Sequence, residues 1–154
     1  MVRLAAYKGT HKGVLGLVNW AIRLVTKSKY SHAEIIIDVP NEDRTFFAVS
    51  ASGVDGGVRG KTIVMTPDKW DFLPIPWLTE EQVLAWLNQY QGAPYDYFGT
   101  ARFLLPFAAR EHQNAWFCSE ACGEMMGIEE PWRFDPATLM TTVSAIIKRL
   151  NALA

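Results

Sequence analysis

The stretch "SHAEIIIDVPNEDRTFFAVSAS", residues 31–52, decides how the chain is read. Both halves are rich in β-branched and aromatic residues, the composition of strands. Between them "PNEDR" supplies proline, asparagine and aspartate, the residues of turns. Residues 31–52 are therefore predicted to form an antiparallel hairpin. With the turn centred on Asn41 and Glu42, positions paired across it sum to about 83. His32 then faces the neighbourhood of Ser50 and Ser52, while alternation along the strand puts Glu34 on the face of His32.

Downstream, "SGVDGGVRG" (residues 52–60) carries four glycines and reads as an irregular loop over Gly53–Gly60. Its plain reading is a wide hairpin connection, with charges in solvent or an Asp55–Arg59 pair bracing it. "KTIVM" (61–65) is a third strand, and "KWDFLPIPWL" (69–78) a short edge strand interrupted by its prolines. "TEEQVLAWLNQYQG" (79–92) is a helix with Thr79 as N-cap, Gln82 completing a capping box and Gly92 stopping it. Helices are also predicted over 117–126 and from Pro136 onward, with "EEPWRFDP" (129–136) as the loop between them. Upstream, Leu15, Val18, Ile22 and Val25 recur at helical spacing over residues 13–27. "APYDYFGTARFLLPF" (93–107) is mixed and receives no element. A helix, three or four strands and then helices define an α+β domain on an antiparallel sheet, one domain over residues 1–154.

Composition narrows the function. The 154 residues are 49% hydrophobic and 20% charged, with a net charge of −1. That is globular composition, and there is neither a basic stripe nor a motif for nucleic acid. "VLGLVNWAIRLV" (14–25) is too short and too polar to span a bilayer, and no small-residue cleavage site follows it. The expectation is a cytoplasmic product without an integral membrane segment. Cys118 and Cys122 are the only cysteines; helical spacing does not suit a disulfide, and two cysteines make no structural zinc site. No metal or cofactor is expected. The Gly-rich stretch also lacks the spacing and the following helix of a phosphate loop.

Chemistry concentrates in "NAWFCSEACGEMMGI" (114–128). Asn114 precedes this predicted helix and Gly127 ends it, so Cys118 falls in or near the first turn. Unpaired N–H groups and the helix dipole there favour a thiolate. Against this stands the ordinary fate of a free cysteine as a small buried residue, which is the reading given to Cys122. A cysteine nucleophile needs a base, usually histidine. His11 and His112 lie in polar stretches and read as solvated; His32 opens a strand, a rigid mount open at one end. The base in turn needs an orienting partner. Glu34 is favoured for its charge, and Ser50 is the rival.

The pairing of "YSHAEIII" (30–37) with a late "WFCSEACGEMMGI" (116–128) resembles the circularly permuted branch of the NlpC/P60 superfamily of papain-like cysteine hydrolases. In that branch a histidine opens the first core strand, and the cysteine comes later at a helix start within Cys-Ser-Glu. "GAPYDYFG" (92–99) is similar to the Gly-x-x-Tyr-Asp block those proteins carry upstream of the cysteine, and "SASGVDGGVRGK" (50–61) to a Gly-rich stretch of phage and prophage members. The resemblance covers residues 30–128. It departs from the pattern at the third catalytic residue, often Glu, His or Asn on the second strand, where this chain offers only Ser50 and Ser52.

The resemblance implies a papain-like fold and a Cys118–His32 pair that cleaves a peptide amide, with bacterial cell-wall peptides as the substrate class. Glu34 or Ser50 would hold the ring. Tyr95 is a candidate oxyanion donor or a core residue with a satisfied hydroxyl, and Ser52, Asp55 and Arg59 stand where the Gly-rich stretch would shape a substrate groove. Without a secretion signal, a wall substrate would require lysis, a dedicated export machine or a place in a phage particle. Two other readings stay open: a silent papain-like binding or structural module, and a lipid acyl hydrolase or transferase.

Overall fold

A computed structural model describes residues 1–10, 20, 22–24, 26–39, 43–97, 99 and 115–153. Five strands form one antiparallel sheet: β1 (Val2–Tyr7), β2 (His32–Asp38), β3 (Thr45–Ser52), β4 (Gly57–Val64) and β5 (Trp70–Pro74). Their order across the sheet is β4-β3-β2-β1-β5. Helices α1 (Glu80–Tyr90), α2 (Cys118–Met125) and α3 (Pro136–Leu153) follow, with a 3₁₀ turn at Pro131–Arg133 inside the predicted loop. The architecture is α+β. Residues 13–19, the turn positions 40–42, His11, His112 and Asn114 lie outside the described residues; residues 20, 22–24 and 26 of the upstream segment are helical.

The predicted hairpin is β2 and β3, and its register sums one higher than expected, with Ile35 opposite Val49 and Asp38 opposite Phe46. β5 is an edge strand, as its prolines require. Two features correct the reading from sequence. β1 has no counterpart in it, yet this strand lies between β2 and β5 and joins them. The Gly-rich stretch is not a loop over Gly53–Gly60. Only residues 53–56 turn; Gly57–Gly60 belong to β4, with Arg59 paired to Ser50 and Ser52 to Gly57.

Alternation along the strands separates two apolar layers. Leu4, Ala6, Ala33, Ile35, Val49 and Ala51 join Val83 and Leu87 of α1, Ala121, Cys122 and Met125 of α2, and Leu139 and Val143 of α3 in one buried core. Ala5, Tyr7, Ile36, Phe46, Ala48, Met65 and Trp70 make the second cluster. Helices α1 and α3 start where the sequence supplies a cap. Thr79 Oγ1 accepts the Gln82 N–H while the Gln82 side chain accepts that of Thr79. The Asp135 carboxylate accepts the N–H groups of Ala137 and Thr138, ahead of Pro136. Gly92, at φ +84°, ends the α1 segment in the left-handed region.

Candidate active site

His32 is the first residue of β2, and its approach is tied down by neighbouring strands. The Ser31 N–H donates to the Tyr7 carbonyl of β1 at 3.0 Å. One residue earlier, the Tyr30 hydroxyl donates to Asp71 on β5 at 2.7 Å, and Lys8 and Lys29 bond the same carboxylate. Cys118 is the first residue of α2. The chain reaches it through a short bridge in which Tyr95 pairs with Trp116, and Pro94 with Gly57 of β4. There is no room for a side chain at Gly57, where a Cβ would lie 2.0 Å from the Ala93 carbonyl oxygen. The bridge thus links the start of β4 to the segment that enters α2. Glu120 accepts the Phe117 N–H at 3.3 Å, and Ser119 donates to the Phe134 carbonyl at 2.6 Å, fixing the first turn.

The cysteine, the histidine and Glu34 meet at this end of the sheet. His32 Nε2 lies 2.7 Å from Glu34 Oε1. His32 also shares a hydrogen bond with Cys118. Burial disfavours the imidazolium, but negative charge at Cys118 and Glu34, with both hydrogen bonds, outweighs it and raises the His32 pKa to about 10. Glu34 is only 1% exposed. Burial alone would push its carboxyl up; two bonds from Arg59 and the His32 charge instead hold its pKa at about 2. Arg59 Nη1 and Nη2 reach the two Glu34 oxygens at 2.6 and 2.5 Å, and Arg59 Nε donates to Asp55 at 2.9 Å. Lys61 donates to Asp55 at 2.6 Å. A string of alternating charge therefore runs Lys61, Asp55, Arg59, Glu34, His32, and His32 at its end adjoins Cys118.

The remaining residues singled out in the sequence fall around this string. Ser50 is fully buried, and its hydroxyl donates to the Ala33 carbonyl at 2.7 Å. It also bonds Cys122, whose thiol pKa is raised by burial and by the negative charges of Cys118 and Glu34. Ser52 Oγ accepts the Asp55 N–H at 3.4 Å and steadies the turn. Tyr95 is half-buried, its ring against Gly53 and edge-on to Tyr97 at 4.9 Å. Asp96, its neighbour in the Tyr-Asp block, is buried and accepts the Gly99 N–H.

Both cysteines are free, and Cys118 is 5% exposed while the His32 side chain is 22% exposed. Two open depressions among the described residues, one lined by Lys27, Ala137 and Thr141 and another by Tyr30, Asp71 and Met140, flank α3 and include neither residue. Among the described residues no cluster of three or more His, Cys, Asp or Glu is disposed to hold a metal ion. Among them, too, no helix is long and apolar enough to cross a membrane.

The link from Arg59 to Glu34 is not foreseen from residue types alone. The signal for it lies in "GVRGK" (57–61), where Val58 and Arg59 alternate as strand residues do once the glycines are not taken for a loop. No family model, curated protein or solved structure matches the chain.

Proposed function

We propose that the chain is a papain-like cysteine hydrolase, of the permuted NlpC/P60 kind, that cleaves an amide bond with Cys118 as nucleophile. The observation that carries this reading is a buried carboxylate, Glu34, hydrogen-bonded to the same imidazole that hydrogen-bonds Cys118 at a helix start. The core does not need such an arrangement, since a buried ion pair gives little net stability. It does suit a thiol–imidazole couple that must stay charged.

The Cys118 thiolate attacks the carbonyl carbon, forming a C–S bond and an oxyanion. The Cys118 N–H, in the first helical turn where backbone donors lack intrahelical acceptors, binds that oxygen. The His32 imidazolium passes its proton to the leaving nitrogen as the C–N bond breaks. Neutral His32 then takes a proton from water, whose oxygen attacks the thioester carbonyl. The C–S bond breaks, releasing the acid and restoring thiolate and imidazolium. Glu34 keeps the ring oriented through both steps, Ser50 supports the backbone beside it, and Tyr95, Ser52 and Asp55 are proposed to contact the substrate. Peptides of bacterial cell-wall material are the proposed substrate.

The test is alkylation of Cys118 by iodoacetamide across pH, beside release of amines from cell-wall peptide fragments. Rapid alkylation well below about pH 8.5, the range of a free thiol, with slowing in His32→Ala, supports the reading. A thiol of ordinary reactivity that His32→Ala does not alter would sink it in favour of a silent module. Cleavage of acyl lipids but not of peptides would move the substrate to the lipid class.

A further inference from the structure

The hydrolase reading leaves one ion unused. Arg59 comes from β4, two strands away from His32, and its guanidinium is committed on both edges. It is paired with Ser50 on the intervening strand, and it spans that small side chain to reach Glu34. Its side chain is 14% exposed, so it is not arranged to greet a substrate. Arginine is the cation suited to this place, since its planar fork matches both carboxylate oxygens.

Resting on the hydrolase reading, we propose that Arg59 is a positioning residue that neutralises Glu34 and so sets the pH range over which the Cys118–His32 pair works. Arg59 and His32 carry two positive charges; Glu34 and the Cys118 thiolate carry two negative ones. The cluster is balanced. Removing Arg59 leaves an excess negative charge in a buried place, so the pair takes up a proton at higher pH on the acid side. It also gives up the imidazolium proton at higher pH on the alkaline side. The whole window slides upward. Other ionisable groups on the packed elements are Tyr7, opposite His32 on β1, Glu120 and Cys122 on α2, and Asp55 and Lys61 beyond Arg59. The Asp55–Lys61 pair is neutral as a whole.

The experiment measures the pH profile of Cys118 alkylation, and of peptide cleavage, in the wild type, Arg59→Met, Arg59→Lys and Asp55→Asn. Arg59→Met should raise the acid limb by about one to three pH units. At a fixed pH below the limb, alkylation should fall about tenfold for every pH unit the limb has moved. Arg59→Lys keeps the charge and should return the limb to its place. Asp55→Asn, in an exposed turn, makes the cluster more positive and should move the limb downward; it remains decisive if Arg59→Met does not fold. A uniform loss of rate in Arg59→Met with limbs unmoved, or an unmoved limb in Asp55→Asn, would overturn the role given to Arg59. A wild-type thiol of ordinary reactivity would instead remove the hydrolase reading itself.

Discussion

Nε2 of His32 and Oε1 of Glu34 stand 2.7 Å apart, although the two residues are near neighbours on one strand. The bond occupies one ring nitrogen and fixes the orientation of the ring. If this orientation matters, Glu34→Gln should lower kcat/KM with a smaller loss than His32→Ala. For His32→Ala the expected loss is about 10²- to 10⁴-fold, the usual contribution of a positioned acid–base group. Steady-state cleavage of a peptide substrate by the two variants checks the ranking; equal losses, or none, would contradict it.

Stability should report the same couple. The His32 pKa is raised from 6.5 to about 10, so its contribution is full below pH 6.5 and disappears as pH rises towards 10. The Glu34 pKa is lowered from 4.5 to about 2, so its contribution is full above pH 4.5 and disappears as pH falls towards 2. Both are present together between those limits. The Tm difference between wild type and a His32→Asn variant should therefore shrink from pH 6.5 to 10, as thermal melts at a series of pH values will show. A difference that grows over that range has the wrong sign.

Cys122 offers an internal control. It is fully buried one helical turn beyond Cys118, and its thiol is held neutral by burial and nearby negative charge. Peptide mapping after brief alkylation should find the label on Cys118 alone. Cys122→Ala should leave that labelling intact while lowering stability by about 1 kcal/mol for the lost packing. Label on Cys122 in the native protein would show that the site is not built as described.

Gly57 connects the sheet to the segment that enters α2 at Cys118. Its Cβ-less backbone lies against the Ala93 carbonyl, beside the bridge from Tyr95 to Trp116, two residues ahead of Cys118. Gly57→Ala should force these segments apart and lower both the Tm and the alkylation rate of Cys118. Gly56→Ala is a comparison: the site is open, but at φ +83° the backbone is strained, so stability falls while Cys118 reactivity holds. Equal reactivity in both variants would separate the bridge from the chemistry.

Much of this organisation was legible from local pattern. The β2–β3 hairpin, the capped α1, the Pro136 start of α3 and the helix opening at Cys118 all follow from residue types at short range. The placing of Glu34 beside His32 follows from strand alternation alone. What escaped depends on partners distant in sequence. β1 is short and carries two alanines, and its strand character is set by β2 and β5 on either side. Arg59 hid among glycines that mimic a loop, and its target is 25 positions away. Local propensity carries no record of such pairings, because packing decides them.

The order in which the chain is synthesised gives the bridge and the buried ions a further meaning. Glu34 and His32 leave the ribosome early, Arg59 later, and Cys118 only after the whole sheet has been made. On the proposed hydrolase reading, a nascent chain has its sulfur and its imidazole apart while its strands are still finding one another. On that reading, the thiol becomes a nucleophile only when the last helix-bearing third docks, so reactivity is itself a product of completed assembly.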